Sequence, residues 1–266
     1  MSDSPQNDSR HNDQPQEFQT LSGEPVRMVR FRIARPQREE QWGQYVVPVK
    51  GHTTLVDALE WIKSNIDLTL MFRHSCHHGS CGTCGMIVNN KQALACTTRV
   101  MDLVEEAEAA GEDRKSFAIE VRPLQTMDHL GDLAVDPARL FRDFPVDADY
   151  LRPSEANKGS EVPGEITGYQ RFENCIECGL CVSSCPVVTM RDFMGPAGLA
   201  AYNREVTKHP ERSGELLPRV DSDRGVWGCD RHLACSQVCP TGVYPAKHIV
   251  QLQKKIKKTK QESGQE

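Results

Sequence analysis

The sequence contains no run of about 18 apolar residues, the length that a membrane-spanning helix requires, and so predicts a chain that does not cross a membrane. The N-terminus has neither an apolar signal segment nor a twin-arginine pair, so nothing in it indicates export and the expected compartment is the cytosol. A net charge of -5 removes the electrostatic case for a nucleic-acid partner.

Cysteine is the residue type that the sequence has in unusual number. Eleven cysteines are present, an odd count, and in a reducing compartment metal ligation is a better explanation for them than a disulfide framework. The length of 266 residues favours two domains. Two domains imply a boundary within the chain, with cysteine groups distributed on either side of it.

The chain divides by composition near residue 130, and the pattern predicts an α+β protein. The expected units are a disordered tail at 1–25, a sheet-containing domain at 26–130, a mostly helical domain at 131–258 and a basic, polar tail at 259–266.

The first half is expected to form a small sheet with one helix. Thr54 followed by Asp57 predicts a capping box at the start of a helix of about ten residues. Asn89 and Asn90 tolerate the left-handed backbone of a tight hairpin. Alternating apolar residues and β-formers predict strands at 29–33, 44–49, 86–88, 92–96 and 117–121.

The second half is expected to be helical, with helices at 197–207 and 246–258. Residues 132–144 are interpreted as a connector with a helical turn, and residues 151–168 as a loop. A run of lysines from Lys254 to Lys260 is interpreted as a solvated helix end, with contact to anionic lipid headgroups as the alternative.

The first cysteine group has the C-x4-C-x2-C spacing of plant-type [2Fe-2S] ligation, with a fourth cysteine after eleven residues. Zinc is the alternative, although zinc sites usually pair two short C-x2-C units. His74, His77 and His78 crowd the same loop, but four cysteines make a Rieske centre unnecessary. The predicted ligands are Cys76, Cys81, Cys84 and Cys96.

Two further groups in the second half share one spacing, C-x2-C-x2-C-x3-C-P, in which the fourth cysteine serves the other cluster. The second copy has His232 where a cysteine is expected. The crossing rule predicts a [4Fe-4S] cluster on Cys175, Cys178, Cys181 and Cys239, and a third cluster on Cys185, Cys229 and Cys235.

The third cluster has only three thiolates, so its fourth iron lacks a cysteine ligand and [3Fe-4S] is the expected occupant. A [4Fe-4S] cluster with His232 as its fourth ligand remains the alternative. Ligand sets of four, four and three account for all eleven cysteines.

Three clusters and no glycine-rich flavin or nucleotide signature indicate an electron relay that needs partners for its donor and acceptor. A free-standing multi-cluster ferredoxin is the competing class. A glycolate-oxidase-type iron-sulfur subunit would share the ferredoxin half but not the first domain.

The order of these cysteine groups resembles the iron-sulfur subunit of succinate dehydrogenase and quinol:fumarate reductase. Further likeness lies in DLAVD at 132–136, FMGPAG at 193–198 and GVWGC at 225–229, the last two resembling the fumarate reductase branch. No tryptophan follows Cys185 in its loop, which weakens a ubiquinone assignment.

The resemblance implies a β-grasp [2Fe-2S] domain followed by a helical two-cluster ferredoxin domain. It also implies a subunit that is not itself catalytic, bound between a flavoprotein with FAD and a membrane anchor. Electrons would pass between FAD and quinone, with quinone near the third cluster. The protein would then lie peripherally on the cytoplasmic face of the membrane.

Overall fold

The structure is a computed structural model that describes residues 18–19, 25–113, 116–145 and 174–264. The loop expected at 151–168 and most of the tail expected at 1–25 lie outside these residues. Within the tail region, a two-residue strand at 18–19 pairs with the strand that begins at Pro25, so these two residues are not the disordered chain that composition predicts.

A mixed sheet forms the first half. Its strands are β1 Phe18–Gln19, β2 Pro25–Ala34, β3 Trp42–Val49, β4 Gly85–Val88, β5 Lys91–Leu94 and β6 Ile119–Arg122. The central path runs β1-β2-β6-β4-β5, with β3 antiparallel to β2 and β6 parallel to β2.

Strand β2 shows why this segment forms a sheet with one covered face. Val29, Phe31 and Ile33 are buried, whereas Arg30 and Arg32 between them are exposed. A period of two places the apolar side chains on the core face and the arginines on the solvent face.

Helix α1 (Leu55–Asn65) covers the core face of the sheet. The predicted capping box is present, since Asp57 N donates to Thr54 Oγ1 and Thr54 N donates to Asp57 Oδ2. Leu55, Leu59 and Ile62 lie on one helical face and are fully buried. The sheet and this helix form the β-grasp arrangement expected for the first domain.

The expectation of a single helix in the first half is wrong, because Val100–Ala109 forms a second helix, α2. Its buried residues are Val100, Val104 and Ala107, which follow the i, i+4, i+7 spacing of a helical face. No side chain caps its start at Arg99, so the sequence lacks the start signal that marks α1.

The connector after β6 contains a small hairpin and one short helix. Strands β7 (His129–Gly131) and β8 (Ala134–Val135) pair, and helix α3 (Ala138–Phe141) follows. The helical turn expected between 132 and 144 is therefore present.

The second half is helical. Short helices lie beside the cysteines, and two long helices, α6 and α9, pack against each other. The bounds are α4 Leu180–Ser183, α5 Pro186–Met190, α6 Gly195–Lys208, α7 Ser213–Val220, α8 Ala234–Gln237 and α9 Pro245–Glu262.

Helix α9 runs to Glu262, so residues 259–262 belong to the helix and not to the predicted tail. Lys260 Nζ lies 2.6 Å from Asp221 Oδ2, and Lys258 pairs with Glu262 one turn away. The Lys258–Glu262 pair is typical of a solvated helix surface, whereas the Lys260–Asp221 pair joins α9 to the end of α7. Among the described residues, no helix combines the length and apolar character needed to cross a bilayer.

The two halves share one apolar core and meet at the cysteine loops. Gln92 Nε2 donates to Ser183 O at 3.3 Å, and Gln125 N donates to Ser183 Oγ at 2.9 Å. Gly82 approaches Ile176 so closely that a Cβ at Gly82 would lie 2.1 Å from Ile176 O. The first cysteine loop therefore rests against the backbone of the second.

Candidate metal centres

The first cysteine group is held between helix α1 and the β4-β5 hairpin. Cys76 and Cys81 lie in the loop before β4 and are half-buried, whereas Cys84 and Cys96 are buried beside the open end of the hairpin, just before β4 and just after β5. The thiol of Cys96 interacts with those of Cys84 and Cys76. Cys81 Sγ lies 3.2 Å from Thr83 Oγ1 within the same loop.

Backbone amides surround the thiol of Cys76. His78 N and Ser80 N donate to Cys76 Sγ at 3.5 and 3.3 Å. These bonds, that of His78 first, lower the pKa of Cys76 to about 5. These amides therefore favour the thiolate of Cys76, which is the form that binds iron.

Cys96 has the opposite environment. Burial, followed by the hydrogen bond and charge of Cys84, raises the pKa of the Cys96 thiol to about 12. A metal cation would remove this penalty by taking the thiolate as a ligand and releasing its proton. The loop therefore combines Cys76, whose thiolate is favoured by amide hydrogen bonds, with Cys96, whose thiolate is disfavoured by burial.

The structure brings four cysteines of the second half together around one cleft of about 400 Å³. Burial, with a smaller contribution from the charge of Cys239, raises the pKa of Cys175 to about 11 and that of Cys178 to about 12. Val243 N donates to Cys239 Sγ at 3.3 Å. The cysteines lining the cleft are Cys175, Cys178, Cys181 and Cys239.

Three more cysteines line a separate cleft of about 330 Å³. Burial, with smaller contributions from the neighbouring Cys185 and Cys229, raises the pKa of Cys235 to about 11. His232 lines the same cleft with an exposed side chain. In each cleft, therefore, one cysteine comes from the other copy of the spacing motif: Cys239 joins the first three and Cys185 joins the last group.

The two cysteine loops of the second half also repeat one backbone conformation. Glu177 and Gly179, on either side of Cys178, have φ values of 55° and 73°. Arg231 and Leu233, on either side of His232, have φ values of 60° and 62°. The residues on both sides of His232 therefore have the same left-handed conformation as those on both sides of Cys178.

The donor sets suit iron-sulfur clusters. Clusters are held by cysteine thiolates and are tuned by amide hydrogen bonds to sulfur, and each feature is present here. The thiols are concentrated in loops with left-handed backbone, which turns the chain around a bulky group.

Sequence reasoning missed one neighbour of the first loop. Glu60 Oε1 on helix α1 lies 3.3 Å from His74 Nδ1. All three histidines are exposed, and His78 contacts only its own loop: its Nδ1 lies against Cys76 O and its Nε2 lies 2.9 Å from Ser80 Oγ. No signal local to the sequence connects a helix residue with a loop histidine fourteen positions away.

Two cysteine-lined clefts in a helical unit, beside a cysteine loop on a β-grasp sheet, define an iron-sulfur protein of the ferredoxin type. Residues 25–142 match the 2Fe-2S iron-sulfur cluster binding domain, and residues 171–243 match the 4Fe-4S dicluster domain. The chain belongs to the family of fumarate reductase and succinate dehydrogenase iron-sulfur subunits.

The fumarate reductase iron-sulfur subunit of Escherichia coli is 34% identical over 78% of this chain and 82% of that protein. The corresponding Mycobacterium tuberculosis subunit is 31% identical over 76% of this chain and 80% of the relative. A chain of the Mycobacterium smegmatis Sdh1 complex in the apo form shares the fold, with a TM-score of 0.64, 22% identity and coverage of 88% of this chain and 97% of that chain. The family resemblance of the motifs is confirmed.

Proposed function

We propose that this chain is the electron-transfer subunit of a membrane-bound fumarate reductase or succinate dehydrogenase. It would connect FAD in a flavoprotein subunit with quinone at a membrane anchor. The observation that carries the proposal is the presence of three separate cysteine sets that together use all eleven cysteines. The family of the chain supports the same function.

Each cysteine set has a proposed occupant. When bound, the clusters supply single-electron transfer between a two-electron donor and a two-electron acceptor. The proposed ligands are Cys76, Cys81, Cys84 and Cys96 for [2Fe-2S]; Cys175, Cys178, Cys181 and Cys239 for [4Fe-4S]; and Cys185, Cys229 and Cys235 for [3Fe-4S].

The protein's own residues hold these sites and limit access of water to them. The amides of His78 and Ser80 stabilise negative charge on Cys76 Sγ, and Val243 N does the same for Cys239. Cys84, Cys96 and Cys235 are buried, so their sites are partly screened from solvent. Burial of this kind, together with amide hydrogen bonds, sets cluster potentials.

The type of the third cluster depends on His232. Its exposed side chain supports a site with three thiolate ligands and no imidazole ligand. The repeated backbone conformation at Arg231 and Leu233 is the observation in favour of a ligated His232. EPR separates the two: a [3Fe-4S] signal in the oxidised protein that persists in His232→Val supports three ligands. An EPR-silent oxidised cluster that becomes [3Fe-4S] in His232→Val would make His232 the fourth ligand.

The proposed location is the cytoplasmic face of the membrane, with the chain held there by an anchor subunit and with quinone near the third cluster. Detergent extraction of native membranes followed by affinity capture of this chain tests the partners. We expect a larger flavoprotein and one or more anchor proteins to copurify. A native protein that is recovered free of partners would favour the free-standing ferredoxin instead.

Activity provides the second test. The chain expressed alone and reconstituted with iron and sulfide should contain clusters but neither oxidise succinate nor reduce fumarate. The captured complex should do so. Turnover of fumarate by the isolated chain would overturn the proposal, because the chain would then have a substrate site of its own.

A further inference from the structure

Glu60, His74 and His77 form a compact group outside the three cysteine sets. Glu60 belongs to helix α1, and the two histidines lie in the loop that carries Cys76. His74 Nδ1 lies 3.0 Å from His77 Nε2 and 3.3 Å from Glu60 Oε1, and His77 Nε2 lies 3.7 Å from the same oxygen. Three donor atoms thus form a nearly equilateral triangle.

The size of this triangle matches a zinc site. Zinc in proteins has bonds of about 2.0–2.2 Å to histidine and carboxylate, which places tetrahedral ligand atoms about 3.3–3.5 Å apart. The three observed separations bracket that range. The donors can therefore reach one ion with small side-chain rotations. Two imidazoles and one carboxylate are also a ligand set that zinc takes in proteins.

The surroundings hold the two histidines in place. The His74 ring stacks on Phe72, with 5.1 Å between the ring centroids. His77 has a φ of 59°, a left-handed conformation that few non-glycine residues adopt, and this conformation brings its ring next to that of His74. Side-chain exposures of 32%, 39% and 39% for His74, His77 and Glu60 leave a fourth ligand position open to water.

We propose that Glu60, His74 and His77 bind a divalent transition metal ion of the zinc type, with water in the fourth position. The ion would join helix α1 to the first cysteine loop, one residue from Cys76. This site is independent of the electron-transfer function proposed above, since none of its three ligands belongs to a cysteine set. The alternative is a hydrogen-bonded histidine pair with an ion pair to Glu60 and no affinity for metal.

Zinc binding can be measured on the protein with its clusters in place and with no histidine tag. Competition with a chromophoric chelator gives the affinity, and elemental analysis gives the zinc per chain. X-ray absorption at the zinc edge identifies the ligands. We expect one zinc per chain with nitrogen and oxygen ligands and the scattering pattern of imidazole. Sulfur ligation would show that zinc had entered a cysteine set, and it would overturn the proposal.

Substitutions then identify the site. Glu60→Gln and His77→Asn each remove a ligand and should weaken zinc binding at least about tenfold, since loss of even an outer-shell partner of a metal ligand typically costs roughly 10–100-fold. Asparagine tolerates the left-handed backbone of position 77, so the loop should keep its shape. The EPR signal of the first cluster checks that it does.

Glu211→Gln is the matched control. His209 Nδ1 lies 3.2 Å from Glu211 Oε1, an equivalent imidazole and carboxylate contact at a distance from the first loop. We expect this variant to bind zinc with unchanged affinity. Unchanged binding in Glu60→Gln and His77→Asn, or no zinc retained against the chelator in the unmodified protein, would overturn the proposal.

Discussion

The two halves of the molecule build their cysteine sites in different ways. In the first half the four cysteines come from one stretch, Cys76 to Cys96, around a single hairpin. In the second half each cleft combines cysteines that lie far apart in the sequence, such as Cys181 and Cys239. A site of the first kind needs a loop, whereas a site of the second kind needs the whole helical unit.

The thiol chemistry differs in the same direction. Amides lower the pKa of Cys76 to about 5, whereas burial raises the pKa of Cys178 to about 12. The first site therefore contains one cysteine, Cys76, whose thiolate is stabilised by amides, beside Cys96, whose pKa burial raises to about 12. In the second half burial raises the pKa of Cys175, Cys178 and Cys235, so metal binding there releases protons from several thiols.

Loss of ligands should give the largest contrast between the halves. Cys84→Ala should remove the [2Fe-2S] signal and leave the clusters of the second half, because its site is confined to one loop. Cys239→Ala should remove the [4Fe-4S] cluster built mainly by Cys175, Cys178 and Cys181. EPR of the reduced and oxidised protein measures both. If Cys239→Ala spared that cluster and lost only the third, the crossed grouping would be wrong.

Gly82→Ala should weaken the contact between the halves. The substitution places a Cβ 2.1 Å from Ile176 O and imposes a φ of +70° on alanine. The backbone and overpacking costs together are roughly 2–4 kcal/mol. Thermal unfolding of the protein with its clusters measures the loss.

Gly111→Ala is the control for that substitution. Gly111 has a φ of +79° but open space around its Cα, so only the backbone cost of about 1 kcal/mol applies. Equal losses of thermal stability in Gly82→Ala and Gly111→Ala would show that the contact between Gly82 and Ile176 tolerates a methyl group.

Acid should weaken the helical half before the sheet half. Burial lowers the pKa of His248 to about 4 from an unfolded value of 6.5. Asn203 Nδ2 lies 2.9 Å from His248 Nδ1, where a neutral ring accepts the amide hydrogen. The unfolded state therefore binds more protons between these values, and stability falls as pH drops from 6.5 towards 4, by roughly 3 kcal/mol in total.

His248→Gln should reduce the loss of folding stability at acidic pH, since glutamine does not titrate in that range. The measurement is the difference in unfolding midpoint between pH 7 and pH 5 for the two proteins.

In the sheet half, burial opposes ionisation of Asp67, but hydrogen bonds from Thr69, Tyr45 and Arg35 lower its pKa below 3.8. Its contribution is therefore lost only below that pH. If the unfolding midpoint fell equally between pH 7 and pH 5 in His248→Gln and in the unmodified protein, His248 would not be the cause of the acid sensitivity.

The smallest expected effect concerns how helices begin in each half. Thr54→Ala removes the capping box of α1 and should cost about 1 kcal/mol. Among the described helices of the second half, α5, α6 and α9 start without a side-chain cap and with a proline in the first turn. Urea denaturation measures the loss in Thr54→Ala. A loss near zero would mean that packing of Leu55 and Leu59 alone fixes the start of α1.

Sequence patterns predicted features whose cause is local. The capping box at Thr54, the hairpin at Asn89 and Asn90, and helix α6 within two residues at its start and one at its end all follow from neighbouring residues. Helix α2 was missed because no cap marks Arg99 and its apolar face has only three buried positions.

Contacts between segments that lie far apart in the sequence could not be predicted from sequence patterns. The contact of Gly82 with Ile176 and that of Glu60 with His74 each join segments whose distance depends on the whole fold. The grouping of Cys239 with Cys175 was predicted only because the ferredoxin spacing has a known crossing rule. The amides beside Cys76 follow from the exact path of its loop, which spacing alone does not define.

The contact between Gly82 and Ile176 also limits how this chain can vary in length. Surface loops usually accept insertions, because the added residues extend into solvent. Here the loops of Gly82 and Ile176 pack directly against each other, backbone against backbone. An added residue in either loop would push against backbone and not into solvent. In a set of natural variants, changes of length should therefore avoid 79–85 and 175–181 and collect in exposed segments such as the one around Gly111.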